Sequence, residues 1–295
     1  EPMESPFKKN IMSAQRVNPA LHSFGKDMNP IANASPDFPL VMTTYSCTEH
    51  WCTGAFTRWQ PWLVEAQPQA YVEISEELAK EKGVIVAEAM TIFHMPVYKE
   101  LKKILESGKL GKVNLITMNF GSFKEYNMNN RFFNMNLAGG AMLDIGVYAL
   151  SIVRSFMDEK PDEILSQWKP SPTGSDEQAT ILLKNPSGQM ATVALSMHSK
   201  QPKRAMISCE KGYIEIMEYP RADKAVIVDA ETGEKTEISC GDTSDALLYE
   251  MEDMEHAVLT RDTSGLYLNY TKDVMDIMTY LRKEWNMKYP DENWD

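Results

Sequence analysis

The sequence predicts a chain in two parts: an α/β portion up to about residue 90, then an α+β portion built on a mainly antiparallel sheet. Helix-type and strand-type segments alternate from residue 73 onward, which is the pattern of α/β structure. Beyond residue 170, strand-type runs are separated by short turns rich in Pro, Gly and Ser, which indicates hairpins. The length of 295 residues also exceeds the usual size of a single domain.

The first 90 residues begin with a stretch that predicts little regular structure. Residues 1–70 hold half of the 16 prolines, and proline lacks the backbone N–H that helices and central strands need. The run PLVMTTYSC at 39–47 is typical of a strand. EISEELAKEKG at 73–83 predicts a helix that ends at Gly83, and VIVAEAM at 84–90 predicts a short buried strand.

The second part predicts four helices and two hairpins. PVYKELKKILESG at 96–108 has apolar residues at helical spacing, KVNLITMNF at 112–120 is typical of a strand, and residues 141–156 predict a helix. The hairpins lie at 179–198 and 225–239, around the turns Pro-Ser-Gly and Thr232-Gly233. We expect the last two helices at 244–260, capped by Ser244 or Asp245, and at 271–285, capped by Thr271.

Composition excludes several classes of function. A net charge of −12 with scattered basic residues argues against a nucleic-acid partner, and no run of about 18 apolar residues predicts a membrane span. Four cysteines without a recognisable secretory leader lead us to expect reduced thiols and a cytoplasmic location. CTEHWC at 47–52 lacks a fourth ligand and a second spaced pair, so we predict no metal site.

The stretch AGGAMLDIGVYAL at 138–150 carries the chemistry. Asp144 and Tyr148 are four residues apart and share one face of a helix, while Gly139 and Gly140 would leave the helix N-terminus open to an oxygen-rich ligand. A carboxylate accepts hydrogen bonds from sugar hydroxyls, and a phenol can pass a proton to or from an oxygen that is oxidised or reduced. The alternative is a core tyrosine whose hydroxyl is satisfied internally.

The chain resembles a known family over residues 73–295. Together EAM at 88–90, PVYKELKKILESGKLGKV at 96–113, AGGAMLDIGVYAL and YTKDVMDIMTYLRKEWNMKYP at 270–290 resemble the Gfo/Idh/MocA family of glucose-fructose oxidoreductases and inositol dehydrogenases, and in particular its dihydrodiol and xylose dehydrogenase branch. The resemblance implies a Rossmann-like nucleotide-binding domain, here partial or atypical, at 1–90, followed at 91–295 by an open-faced, mainly antiparallel sheet domain with flanking helices. It also implies NAD or NADP as cofactor and a homodimer or higher homo-oligomer.

The resemblance also implies site residues. The family pattern GG-x-x-x-D-x-G-x-Y falls on 139–148, with Tyr148 as the catalytic proton-transfer residue and Asp144 as a catalytic or substrate-binding carboxylate. An overlay of the earlier part implies Thr44, His50 and Glu65 as cofactor-binding residues. His94 would contact substrate where this branch has an arginine, or, as a histidine before Met-Pro, would be packed at the domain junction.

Two family features are altered in this sequence. No G-x-G-x-x-G turn occurs, and Ala66 or Gln67 stands where the family's EKP motif has the lysine that activates the tyrosine. Either the nucleotide domain is shortened and turnover is lost, or the first seventy-odd residues do not represent the domain's natural N-terminal part.

Two functions therefore stay open. The leading hypothesis is an NAD(P)-dependent oxidoreductase that transfers a hydride to or from a sugar, polyol or related secondary alcohol. The alternative is a non-catalytic relative that binds a sugar-like ligand or a partner protein.

Overall fold

A computed structural model describes residues 75–290, 292 and 294 of the chain. The chain divides into two compact units, Glu1–Leu78 and Ala79–Asp295. The helices described are α1 (Glu76–Lys82), α2 (Thr91–His94), α3 (Pro96–Glu106), α4 (Val147–Phe156), α5 (Ala246–Thr260) and α6 (Leu268–Glu284). The strands are β1 (Val113–Gly121), β2 (Glu163–Pro170), β3 (Asp176–Lys184), β4 (Met190–Ser196), β5 (Gln201–Cys209), β6 (Gly212–Met217), β7 (Lys224–Asp229) and β8 (Lys235–Ser239).

The second unit is built on one mixed, eight-stranded sheet with flanking helices. The strand order is β2-β3-β4-β1-β5-β6-β7-β8. Neighbouring strands run antiparallel except β1 and β4, which are parallel. Both predicted hairpins are present as β3–β4 and β7–β8, because their turn residues and flanking β-branched residues are local signals. The mainly antiparallel sheet predicted from the sequence is thereby confirmed.

One face of the sheet packs against helices and forms the core. Ile116, Ile181 and Ile207, on β1, β3 and β5, are fully buried, as expected where alternate residues of a strand face a covered layer. Helix α4 is buried along almost its whole length and contacts both β1 and α6. The sheet thus holds α4 rigidly, which matters because the glycine turn and Asp144 directly precede it.

The helical stretch Met135–Phe156 is long and apolar enough to cross a membrane, the one such stretch in the described part of the chain. However, 61% of its most apolar window is buried inside the fold. Burial of that extent is typical of a core helix, and length and composition alone are weak evidence for a span.

The predicted buried strand at 84–90 is wrong. These residues form no regular element, and Val84 and Val86 are 48% and 61% exposed. A strand needs a neighbour to accept its hydrogen bonds. Within the described residues the sheet ends at β2 and β8, so this apolar run has no described strand beside it.

The predicted helix starts are partly wrong. Helix α6 begins at Leu268, so Thr271 lies inside its first turn and does not cap it. Tyr267 occupies the N-cap position at φ 50°, and its ring packs 5.6 Å from that of Phe93. Tertiary packing therefore sets this helix start rather than a local capping residue. Asp245 is the N-cap of α5 as predicted, but its side chain makes no capping hydrogen bond.

Candidate active site

The glycine turn at 139–140 is closed by the protein itself. Gly140 has φ +136°, and a Cβ at this position would lie 2.0 Å from Oδ1 of Asp176. The other carboxylate oxygen of Asp176 accepts a hydrogen bond from the backbone N–H of Met142 at 2.6 Å. The expectation that the glycines leave this helix N-terminus open to a ligand is therefore wrong, because a buried carboxylate from β3 already occupies it.

The segment after the turn is π-helical over Met142–Gly146 and continues as α4. π-helical turns within helices are uncommon and occur frequently at functional sites. Asp144 lies in this turn, and Tyr148 lies in the first turn of α4. The predicted helix at 141–156 is confirmed, but its first turn is wider than an α-helical one.

Asp144 lies at the surface and is paired with Arg131. Its Oδ1 accepts a hydrogen bond from Nη1 of Arg131 at 2.9 Å. The side chain of Asp144 is 20% exposed and that of Arg131 is 64% exposed. The carboxylate is therefore held in place by one bond and remains accessible to a ligand that carries hydroxyl groups.

Tyr148 is half-buried at the edge of the core. Its ring centroid lies 6.4 Å from that of Phe120 on β1, and Nζ of Lys203 lies 5.4 Å from the same Phe120 ring. Lys203 is itself paired with Glu218 at 2.9 Å. No hydrogen bond joins the Tyr148 hydroxyl to any residue that the structure describes. The aromatic ring is thus supported by packing while its hydroxyl is left without a described partner.

His94 is packed inside the fold, as in the alternative to a substrate contact. It is buried in α2, with Nδ1 2.7 Å from Oδ2 of Asp253 on α5. The same carboxylate accepts hydrogen bonds from Nζ of Lys99 at 2.8 Å. Burial raises the pKa of Asp253, but the hydrogen bonds from His94 and Lys99 outweigh it and the pKa is lowered. His94 therefore ties α2 to α5, and no described contact joins it to Asp144 or Tyr148.

The remaining sequence-predicted residues cannot be placed. Thr44, His50 and Glu65 lie outside the described residues, as does CTEHWC. Within the described part, no group of three or more His, Cys, Asp or Glu side chains is arranged to hold a metal ion.

Sequence reasoning missed two residues that shape this site, Arg131 and Asp176. They lie 13 and 34 residues from their partners Asp144 and Met142, so neither belongs to the motif. The one available signal for Asp176 is the Gly139-Gly140 pair, because a glycine at positive φ indicates that something approaches its backbone closely.

Residues 98–215 match the family model described as the GFO/IDH/MocA C-terminal domain. Among curated proteins, the trans-1,2-dihydrobenzene-1,2-diol dehydrogenase of Xenopus laevis is 26% identical over 223 residues, which cover 72% of this chain and 66% of that protein. A second relative is a subunit of a different kind of enzyme. The alpha subunit of formate dehydrogenase 2 (cytochrome c-553) from Nitratidesulfovibrio vulgaris is 48% identical over 85 residues, which cover 28% of this chain and 8% of that protein.

Two solved structures share the fold. A 3-ketoreductase from Actinomadura kijaniata in complex with NADP and TDP-benzene matches with TM-score 0.61 at 16% identity, covering 70% of this chain and 64% of that chain. An aldose-aldose oxidoreductase from Caulobacter crescentus complexed with glycerol matches with TM-score 0.59 at 20% identity, covering 72% of this chain and 65% of that chain. The chain thus spans less than two thirds of either structure, and the likeness concerns the fold.

Proposed function

Residues 98–215 belong to the Gfo/Idh/MocA family, and on this premise we propose that the protein is an NAD(P)-dependent oxidoreductase acting on a sugar, polyol or related secondary alcohol. One observation carries the proposal: the hydroxyl of Tyr148 has no described partner, while Asp144, four residues before it, is held in an accessible position by Arg131. A proton donor and a hydroxyl-binding carboxylate four residues apart on one helical segment suit the reduction of a hydroxylated ketone or aldehyde.

Tyr148 takes the role of proton donor. A phenol can give its proton to the carbonyl oxygen as that oxygen becomes an alcohol. No described lysine or arginine contacts the Tyr148 hydroxyl, and a cation is what would favour the phenolate as a base. In carbonyl reduction Tyr148 gives its proton to the substrate oxygen, with Asp144 accepting hydrogen bonds from neighbouring substrate hydroxyls.

The nucleotide would supply the hydride when bound. A G-x-G-x-x-G turn between a strand and a helix is the arrangement that holds a dinucleotide pyrophosphate. The described residues contain no such turn. Thr44, His50 and Glu65 remain the proposed cofactor-binding residues. The similarity to a 3-ketoreductase solved with NADP supports NADP or NAD as the cofactor, and the aldose-aldose oxidoreductase solved with glycerol supports a polyol-like substrate.

Titration calorimetry of the full chain with NADPH and NADH tests the cofactor. We expect saturable binding of at least one nucleotide with Kd in the micromolar range. Consumption of that nucleotide is then followed spectrophotometrically with a panel of ketoses, aldoses and diketones. Absence of both binding and consumption would remove the enzyme proposal.

A second candidate function is favoured by the formate dehydrogenase similarity. The 85 matched residues are similar to a protein of a different class from the dihydrodiol dehydrogenases. We infer as the alternative that the chain is a non-catalytic relative that binds a sugar-like ligand or partner protein, with ligand binding unaffected by NADPH or by Tyr148→Phe.

The open face of the sheet supports a proposed homodimer or higher homo-oligomer. Leu165 and Leu182 pair across β2 and β3, and Leu115 and Met190 pair across β1 and β4. All four are between 38% and 69% exposed. Exposed apolar residues on four neighbouring strands of a sheet favour an interaction surface. Sedimentation at micromolar and nanomolar concentration tests the oligomer, and a monomer throughout would exclude it.

A further inference from the structure

We propose that Asp176 and Tyr289 are positioning residues that fix the glycine turn, and through it the helix carrying Asp144 and Tyr148. The catalytic importance of this position rests on the proposed function. The clamp, by which we mean the two hydrogen bonds from Asp176 and Tyr289 to the turn, belongs to the described fold itself. Neither residue belongs to the family motif that identifies the site.

The clamp contacts the turn at two successive points. The hydroxyl of Tyr289 donates a hydrogen bond to the carbonyl oxygen of Gly139 at 2.8 Å. Three residues later, Met142 N–H donates to Oδ2 of Asp176 at 2.6 Å. Both side chains are buried, so water does not compete for these bonds. The two bonds come from different parts of the fold, one from β3 and one from the segment after α6.

Gly140 and Asp176 fit each other sterically. A Cβ at residue 140 would lie 2.0 Å from Oδ1 of Asp176 and 3.1 Å from its Cγ. Any side chain at 140 would therefore displace the carboxylate, and its φ of +136° is one that other residues rarely adopt. The second glycine of the motif is thus required by this contact, and it makes room for the protein's own clamp rather than for a ligand.

Burying the carboxylate of Asp176 costs folding free energy, which favours a role for it beyond capping the helix. Asp176 is fully buried, and its Oδ1 makes no hydrogen bond with any described residue. Burial raises its pKa to about 7, although the Met142 N–H and the charge of Arg282 act in the opposite direction. A buried group with an unsatisfied oxygen destabilises a fold. Its partner Met142 lies two residues before Asp144 and six before Tyr148, where the direction of the helix sets the position of the phenol.

The position of the phenol can be read by fluorine NMR of the full chain labelled with 3-fluorotyrosine, with the Tyr148 line identified from Tyr148→Phe. We expect Asp176→Ala and Tyr289→Phe each to shift or broaden the Tyr148 line. Asp176→Asn keeps an oxygen that can accept from Met142 N–H, so it should restore the wild-type line. Glu177→Gln is the matched control, because Glu177 is equally buried on the same strand but bonds to Tyr126 and Lys169.

Hydrogen exchange in the peptide covering 139–148 gives a second readout. We expect about tenfold faster exchange in Tyr289→Phe, the milder variant, and in Asp176→Ala where it folds. Turnover, where present, should fall in kcat and KM should rise, because the same helical segment carries the proton donor Tyr148 and the substrate ligand Asp144. An unchanged Tyr148 line and unchanged exchange in Tyr289→Phe, with Asp176→Ala either unchanged or unfolded, would overturn the clamp. Failure of nucleotide binding with the clamp intact would overturn only the proposed function.

Discussion

The surroundings of His94 and of Tyr148 differ in one decisive respect. Both residues carry groups suited to proton transfer, and both lie on helices packed against the same core. His94 is buried, and its Nδ1 is engaged by Asp253, which Lys99 also contacts. The Tyr148 hydroxyl makes no described hydrogen bond. The difference teaches that a residue type predicts chemistry only where the fold leaves its polar atom available.

The largest expected effect is on the free energy of unfolding, and it tests the contrast between His94 and Tyr148. His94→Ala should lower the free energy of unfolding by about 2–4 kcal/mol, because it removes a buried side chain and leaves Asp253 without one of its hydrogen bonds. Tyr148→Phe should change the free energy by less than about 0.5 kcal/mol, since the hydroxyl has no described partner. Urea denaturation measures both. The control is His256→Ala, which changes an exposed histidine on α5. A His94 variant as stable as this control would contradict the structural role of His94.

An intermediate effect is expected from pH at Asp176. Burial raises its pKa to about 7 from 3.8, so between these values the native state holds a proton that the unfolded state has released. The contribution of this group to stability is therefore fully present below pH 3.8 and is lost as the pH rises through about 7. The charged and titratable groups that face it are Arg282 of α6 and Tyr289.

Asp176→Asn removes this pH dependence. Between pH 5 and pH 8, the wild-type protein should lose on the order of 2 kcal/mol of unfolding free energy relative to the variant. Urea midpoints measured at both pH values test this. A difference between the two proteins that is constant with pH would show that Asp176 is ionised throughout this range.

The smallest expected effect concerns Arg131. Its side chain is 64% exposed, and exposed ion pairs contribute about 0–1 kcal/mol. Arg131→Ala should thus leave the unfolding free energy within about 0.5 kcal/mol of the wild-type value. KM should rise by up to about tenfold, because Asp144 is less ordered without its partner. Lys103→Ala, which breaks an exposed pair with Glu100, controls for loss of surface charge. A fall in kcat with KM unchanged would assign Arg131 a role in the chemical step instead.

Local features of the fold could be predicted from the sequence. The hairpins, the helix that ends at Gly83 and the helix after Pro96 each depend on turn residues or periodicity within one segment. The family motif likewise located Asp144 and Tyr148 because the whole pattern lies within ten residues. In these cases the physical cause and its effect are close together in the chain.

Features that depend on distant contacts could not be predicted. The run at 84–90 has the composition of a strand, but whether it forms one depends on a neighbouring strand. Asp176 reaches the glycine turn from 34 residues away, and Tyr289 from 150. The start of α6 is set by packing around Tyr267 rather than by a capping residue. No local pattern records such pairings, and the glycine pair led instead to the wrong expectation of a helix N-terminus open to a ligand.

The most direct test of the account is the rate of NAD(P)H-dependent carbonyl reduction by the full chain and by Tyr148→Phe, with Tyr280→Phe, an exposed tyrosine on α6, as the matched control. General acid catalysis contributes about 10²–10⁴-fold, so we predict that kcat falls at least about 100-fold in Tyr148→Phe and stays at the wild-type value in Tyr280→Phe. A Tyr148→Phe protein that turns over as fast as wild type would contradict the assignment of Tyr148 as the proton donor.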